Sequence, residues 1–101
     1  MKGLEEICFQ IICAVGNARS LYIEAIQEAK QKNFEKAEQL IAEGEASFID
    51  GHKAHAELIA QEAGGTSIQV SLLLAHAEDQ LMSAEGFGIL SKEFIDVYKH
   101  I

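Results

Sequence analysis

The sequence lacks proline and tryptophan, and Arg19 is its only arginine. Because proline is the strongest helix breaker, its absence favours long uninterrupted helices. The purely apolar runs are far shorter than the ~20 residues that a membrane-spanning helix needs, so we expect no membrane insertion. Basic residues are also scarce: eight Lys and Arg stand against sixteen Asp and Glu, which gives a net charge of −8. Such a chain repels phosphate backbones, so we expect no nucleic-acid partner and favour a basic protein surface instead.

Cysteine is scarce as well, since Cys8 and Cys13 are the only two. Five residues apart in a helix, their side chains lie on well-separated faces and cannot form a disulfide with each other. We therefore expect two free, buried thiols in a reducing, cytoplasmic setting. The N-terminal residues become acidic at Glu5 and Glu6, so we also expect no signal peptide.

Helix-forming and apolar residues make up most of the chain, with apolar residues at 49%. The length of 101 residues is that of one domain, and its core is small enough for partner subunits to help stabilise it. Apolar steps of three and four predict helices at about residues 4–31, 34–63 and 68–100. Short connections between long helices predict one all-α domain over residues 1–101, an antiparallel three-helix up-down-up bundle.

Two breaks separate the predicted helices. Asn33 interrupts the first apolar pattern, and asparagine is a favoured N-cap, so it predicts the start of the second helix. Residues 64–67 read Gly-Gly-Thr-Ser and form the clearest loop, in which Thr66 or Ser67 is expected to cap the third helix.

Two glycines, Gly44 and Gly51, lie seven residues apart on the apolar stripe of the second helix. Glycine inside a helix costs ~1 kcal/mol relative to alanine. Close approach of another helix would explain both glycines, but the sequence alone leaves this open.

The third helix begins with a segment, Ile68 to Ala75, that only Gln69 and Ser71 interrupt with polar side chains. A helix that is apolar on all sides is buried on all sides. Two shorter amphipathic helices cannot cover it, so we expect copies of this helix to pack together in a homo-oligomer.

His76 and Asp79 are three residues apart and therefore share one face of the third helix. Steps of seven place Leu72, Asp79 and Gly86 in one row, on the surface by which copies would meet. Converging copies of Asp79 would repel one another, and either a Mg²⁺-like cation or a shared proton would relieve this. His76 carries an imidazole that is nucleophilic near neutral pH, although a hydrogen-bonded core histidine is the alternative interpretation.

A resemblance to a known family rests first on residues 76–82, which read His-Ala-Glu-Asp-Gln-Leu-Met. This segment resembles the active-site helix of the lactose/cellobiose (N,N′-diacetylchitobiose) enzyme IIA proteins of the phosphoenolpyruvate-dependent sugar phosphotransferase system, which reads His-x-Gln-Asp-His-Leu-Met. Residues 16–20, residues 33–37 and His52 match further family features at similar distances. The resemblance therefore covers nearly the whole chain.

The resemblance implies a homotrimer of three-helix subunits, a nine-helix bundle with Asp79 of each chain around a central divalent cation such as Mg²⁺. It implies that His76 accepts a phosphoryl group from the histidine phosphocarrier HPr and passes it to a cysteine of the cognate IIB component. The protein would then be a phosphotransferase component, a cytoplasmic phosphocarrier for uptake of a lactose/cellobiose-class sugar. The choice of sugar belongs largely to the membrane component and is not encoded here.

Four further residues are candidate phosphate or partner contacts: Glu78, Gln80, Arg19 and His52. Glu78 stands where the family usually has glutamine, and Gln80 where it usually has histidine. A carboxylate beside a phosphohistidine would repel the phosphoryl group, so a transfer-deficient structural or regulatory oligomer of the same fold is the alternative function. Arg19 can fork onto a phosphate or make a structural bond instead.

Metal binding elsewhere in the chain has little support in the sequence. His52 and His55 lie on one side of the second helix, where packing or partner contact is favoured over metal binding. A di-iron helical bundle would need Glu-x-x-His pairs, and the sequence contains none.

Overall fold

The computed structural model describes residues 3–101, which form three helices. Helix α1 spans Leu4–Lys30, α2 spans Phe34–Ala63 and α3 spans Leu72–Lys99. They build an elongated body of 52 × 20 × 18 Å. The predicted all-α, up-down-up three-helix fold is thereby confirmed. Across residues 3–101, none of the helices is long and apolar enough to cross a membrane. The expectation about a signal peptide depends in part on Met1 and Lys2, which lie outside the described residues.

The start of α3 differs from the prediction by four residues. Residues 66–71 have no regular structure, and the helix begins at Leu72 instead of residue 68. Ser71 is the N-cap, because its Oγ accepts a hydrogen bond from the Leu74 amide at 3.1 Å. Thr66 and Ser67, the predicted caps, lie in the irregular segment. A local capping bond thus decides where the helix begins, and the apolar composition of residues 68–71 does not.

The turn between α1 and α2 falls at the predicted place but is built differently. Asn33 precedes α2 without capping it through its side chain. Its Nδ2 instead donates to Oε1 of Glu28 at 3.0 Å. Next to it, Lys32 has a φ of +66°, and its Nζ donates to the carbonyls of Tyr98 at 3.0 Å and Ile101 at 3.2 Å. A cation thereby meets the carbonyl end of α3, where the helix dipole favours positive charge.

Helix α1 forms the centre of the core, since it packs against both other helices, while α2 and α3 touch each other least. Its buried side chains follow the predicted stripe closely: Ile7, Cys8, Ile11, Val15, Ala18, Tyr22, Ala25 and Ala29. Cys13 is exposed, so the prediction of two buried thiols is wrong for this residue, and both cysteines are free. The reason is geometric, because five residues turn the helix by about 500°, which leaves Cys13 about 140° away from Cys8.

Close contacts with α1 explain the glycines of α2. A Cβ on Gly44 would lie 2.7 Å from Cε1 of Tyr22, and one on Gly51 would lie 2.6 Å from Cγ1 of Val15. Gly88 on α3 faces the same ring, because its Cβ would lie 3.0 Å from Cε2 of Tyr22. Close helix approach is therefore the reason for both glycines of α2, and the Tyr22 ring lies against a glycine on each of the two other helices.

One hydrogen-bonded pair and two ion pairs join α2 to α3 along their length. They link His55 to Glu78 at 2.7 Å, Glu45 to Lys92 at 2.8 Å, and Glu38 to Lys99 at 2.7 Å. Because α2 and α3 share few apolar contacts, these pairs contribute to their alignment. We call this line of contacts the α2–α3 junction.

Candidate functional site

One face of α3 is apolar and exposed along most of the helix. Leu72 at its start is 89% exposed and Met82 in its middle is 73% exposed. The exposed large apolar side chains of α3 are Leu72, Met82, Phe87, Ile89, Leu90, Phe94 and Val97. An exposed apolar face of this length is typical of surfaces that contact another chain. We call it the exposed α3 face.

His76 and Asp79 both lie on the exposed α3 face. A spacing of three residues separates their directions by about 60° around the helix axis. Asp79 shares its row with Leu72, as the sequence predicted. Within residues 3–101, neither His76 nor Asp79 forms a side-chain hydrogen bond or an ion pair. The structure thus presents a nucleophilic imidazole and a carboxylate side by side, both accessible.

Glu78 points away from His76. Two residues along a helix correspond to a turn of about 200°, so the two side chains leave opposite flanks of α3. Oε2 of Glu78 lies 2.7 Å from Nε2 of His55 on α2, and the carboxylate accepts the hydrogen bond that this ring nitrogen donates. Burial, and then the nearby charges of Glu78 and Glu5, raise the pKa of the Cys8 thiol. Within one chain, the Glu78 carboxylate is therefore directed toward α2 and α1.

Of the other candidate residues, Gln80 lies near His76 and Arg19 does not. Gln80 is half-buried and follows His76 by one helical turn, so it lies on the same side. Arg19 is half-buried on α1. Helices α1 and α3 run in the same direction, and the Lys32–Tyr98 bond joins two residues whose numbers differ by 66. A residue of α1 therefore lies level with the residue of α3 whose number is higher by 66. This register places Arg19 level with Glu85, about 13 Å along the axis from His76.

His52 lies on the exposed side of α2, and its ring contacts the Phe48 ring with centroids 6.1 Å apart and planes tilted by 35°. The sequence favoured packing or partner contact for His52; the ring contact is a packing interaction, and the partner contact stays a prediction. The His55–Glu78 pair is the feature that sequence reasoning missed, although both residues were noted. No spacing rule connects two residues of different helices, so the sequence held no direct signal for it.

A comparison with protein families identifies the chain. Residues 6–99 match the family model described as "PTS system, Lactose/Cellobiose specific IIA subunit". The chain belongs to this family. The match spans the three helices and includes His76 and Asp79, so the resemblance recognised in residues 76–82 is confirmed.

Relatives of this IIA subunit agree in sequence and in fold. The oligo-beta-mannoside-specific EIIA component of Bacillus subtilis is 41% identical over 95 residues, which cover 94% of this chain and 86% of that protein. The crystal structure of the cellobiose-specific enzyme IIA from Bacillus anthracis superposes with a TM-score of 0.93 at 40% identity, covering 99% of this chain and 93% of that one. The IIA(Chitobiose) chain of the Escherichia coli IIA(Chitobiose)–HPr complex gives a TM-score of 0.86 at 31% identity. The superposition covers 99% of this chain and 97% of that one.

The IIA subunit presents His76 on an exposed helix face. A recess of about 310 Å³ lies elsewhere, at the α2–α3 junction, over Ile41 and Ile95 and beside Lys99. Small-molecule sites are concave and enclose their ligand. The surroundings of His76 suit contact with a protein partner better than enclosure of a sugar.

A metal site within a single IIA subunit is not supported. Across residues 3–101, no group of three or more His, Cys, Asp or Glu side chains could hold a metal ion. Asp79 offers an accessible carboxylate on the exposed α3 face. Its oxygens suit a hard cation such as Mg²⁺, but the remaining ligands would have to come from other chains.

Proposed function

We propose that this IIA subunit is a cytoplasmic phosphocarrier, which accepts a phosphoryl group from HPr on His76 and passes it to a cysteine of the cognate IIB component. The transfer would serve uptake of a lactose/cellobiose-class sugar. The observation that carries the proposal is the exposed imidazole of His76, whose ring nitrogens are not bonded to any other side chain within residues 3–101. A neutral ring nitrogen is nucleophilic near pH 7, and its exposure lets a docked partner bring phosphorus into line with it.

Two substitutions at phosphorus make up the proposed cycle. A ring nitrogen of His76 attacks the phosphorus of phospho-HPr, and the N–P bond in HPr breaks, returning its electron pair to the HPr histidine. The cysteine thiolate of IIB then attacks the same phosphorus, and the N–P bond to His76 breaks. The electron pair returns to the His76 nitrogen. No oxidant or reductant is consumed, and His76 ends the cycle as it began.

HPr as the phosphoryl donor is supported by fold and charge. The chain shares its fold and 31% identity with the IIA(Chitobiose) of the Escherichia coli IIA(Chitobiose)–HPr complex. Its net charge of −8 favours a partner with a basic docking surface. Transfer between two exposed side chains needs little beyond alignment, which such docking supplies.

The exposed α3 face supports a homotrimer in which three copies of α3 meet in a nine-helix bundle. Three Asp79 carboxylates would then converge and repel one another. A divalent cation held among them, in our proposal Mg²⁺, would supply the positive charge that removes this repulsion. Asp79 thus has a role in assembly, and His76 beside it carries the phosphoryl group.

The test is phosphorylation of the purified protein with phosphoenolpyruvate, enzyme I and HPr. Intact mass should rise by one phosphoryl group that is lost in acid, as expected for an N–P bond. His76→Gln should abolish the gain, whereas His100→Gln, at a second exposed histidine, should retain it. Labelling of His76→Gln at the level of the wild type would refute the proposed acceptor.

The alternative function is a structural or regulatory oligomer that has kept the fold without the transfer. Gln80, in place of the usual histidine, favours it. Glu78 gives it less support than the sequence suggested, since its carboxylate is bonded to His55 on the far flank of α3. A folded oligomer that takes up no phosphoryl group in the same assay would establish this alternative.

A further inference from the structure

The turns of α3 that carry His76 pack into the core through the buried side chains of Leu74, Ala77 and Leu81, mainly against α1. The segment that leads into them, residues 66–71, has no regular structure. A cavity of about 110 Å³ lies beside them, lined in part by Leu58, Ile68 and Leu74. Since α2 and α3 touch each other least of the helix pairs, the side of this end of α3 that faces α2 is held by few contacts.

The bond between His55 and Glu78 spans this end of the α2–α3 junction. Its two side chains are 21% and 41% exposed, whereas those of the Lys92–Glu45 pair are 53% and 48% exposed. Shelter from water strengthens a polar contact of the same length. An imidazole and a carboxylate on short stems also have fewer rotatable bonds than a lysine, so their contact restrains the backbone more tightly.

We propose that His55 and Glu78 are positioning residues for His76. Their bond fixes the rotation of α3 about its own axis, and with it the direction in which the His76 imidazole faces an incoming partner. The inference deepens the proposed phosphocarrier function and rests on it. It assigns a role to Glu78 on the side of α3 opposite to the reacting ring.

Even a small rotation of α3 displaces the His76 ring far enough to change the transfer rate. Side chains extend about 5–6 Å from a helix axis, so a rotation of about 10° moves the His76 ring by about 1 Å. A misplacement of about 1 Å in a transfer reaction can cost about a hundredfold in rate. A partial loosening of α3 should therefore slow the transfer by about tenfold.

The carboxylate is important for its hydrogen bond more than for its charge. A glutamine at position 78 has the same length, and its amide oxygen accepts from the imidazole N–H in the same place. Glu78→Gln is thus the conservative variant that should preserve positioning, while Glu78→Ala should lose it. Lys92→Ala is the matched control, because it removes a pair of similar length across the same α2–α3 junction, farther along α3 from His76.

The experiment is single-turnover transfer from phospho-HPr over a range of HPr concentrations. His55→Ala and Glu78→Ala should each lower the maximal transfer rate about tenfold, with the half-saturating HPr concentration changed by less than about twofold. The double variant should be no slower than either single variant, since each single substitution already removes the same His55–Glu78 bond. Glu78→Gln and Lys92→Ala should stay within about twofold of the wild type.

A second measurement does not depend on transfer. In histidine-labelled NMR spectra, His55→Ala and Glu78→Ala should shift or broaden the ring resonances of His76, and Lys92→Ala should leave them in place. If the wild type accepts no phosphoryl group, the proposed function fails and these resonances alone decide the positioning role. Should His55→Ala prove unfolded, His55→Gln, whose amide can still donate to Glu78, should behave as the wild type.

Either of two results would overturn the inference. One is equal slowing by Lys92→Ala, which would show general loosening of the α2–α3 junction. The other is an unchanged His76 resonance in folded Glu78→Ala, which would show that α3 keeps its orientation without the bond.

Discussion

Gly51 has no room for a side chain, because Cγ1 of Val15 lies 2.6 Å from the position that a Cβ would take. Gly51→Ala should lower the free energy of unfolding by about 1–2 kcal/mol. The cost of overpacking, about 1–3 kcal/mol, exceeds the gain of up to about 1 kcal/mol that alanine brings to a helix. Gly16 on α1 is the matched control, since a Cβ there meets no atom within 4 Å.

Chemical denaturation of both alanine variants measures the difference. Gly16→Ala should be as stable as the wild type or more stable, since it gains helix propensity without a clash. If Gly51→Ala were stabilised to the same extent, the close approach of α2 to Val15 would not exist in solution.

Ionisation of the Cys8 thiol should lower the free energy of unfolding at alkaline pH. Burial first, and then Glu78 and Glu5, raise the pKa of its thiol above the ordinary value of 9.0. The unfolded chain therefore loses this proton near pH 9, while the folded chain keeps it to a higher pH. The contribution of the protonated Cys8 thiol to the free energy of unfolding is complete below pH 9. It is lost as pH rises through the folded-state pKa, by up to about 1.4 kcal/mol per pH unit.

Urea denaturation at pH 8, 9 and 10 under reducing conditions checks this expectation against Cys8→Ala. The variant leaves a small cavity and should be less stable at pH 8. The difference in the free energy of unfolding between the wild type and Cys8→Ala should narrow toward pH 10, since the variant lacks the titrating thiol. A deficit that stays constant across this range would show that the Cys8 thiol ionises alike in both states.

At the scale of the helices, the N-cap of α3 offers a direct test of where that helix begins. Ser71→Ala should lower the free energy of unfolding by about 1 kcal/mol, because the Leu74 amide loses its acceptor. Ser67→Ala should leave it unchanged, since residue 67 lies in the irregular segment. Thermal or urea unfolding of the two variants decides between the predicted start at residue 68 and the observed start at Leu72.

The sequence predicted α1 and α2 well, because each carries a long run of apolar residues at helical spacing. It failed at the start of α3, where residues 68–71 are apolar enough to resemble a continuing helix. Only the local bond of Ser71 distinguishes the two starts, and apolar periodicity does not register it. His76 and Asp79 could be proposed as a site from the sequence because their spacing and their resemblance to a known segment both lie within one helix.

The contacts between helices were beyond the reach of sequence patterns. His55 meets Glu78, and Lys32 meets Tyr98, across separations of 23 and 66 residues. Such pairs depend on the register of the bundle, which the core packing sets. For the same reason the sequence suggested Glu78 as a source of repulsion near His76, whereas the bundle directs its carboxylate to α2.

At the scale of the whole molecule, the exposed α3 face predicts assembly. Val97 lies five full helical turns from Asp79, hence in the same row, and is 52% exposed. Val97→Lys should disrupt the proposed trimer, because it would bring three ammonium groups together in an apolar contact. Ile59→Lys on α2, at a residue 52% exposed that lies beside Leu74 and away from the exposed α3 face, should leave the trimer intact.

Sedimentation equilibrium measures both variants, with thermal unfolding in EDTA and in Mg²⁺ as a companion experiment on the wild type. Removing divalent cations should lower the unfolding midpoint of the assembly, and Mg²⁺ should restore it. A wild type that sediments as a monomer would remove the basis for both the trimer and the shared cation.

The ring of Tyr22 has a consequence for how relatives of this chain diverge. Gly44 on α2 and Gly88 on α3 flank that ring, so three positions on three helices share one volume. A relative that gains a side chain at either glycine position should carry a smaller residue in place of the tyrosine. Correlated replacement at these three sites, read from many aligned sequences, would trace the spacing of the helices through evolution.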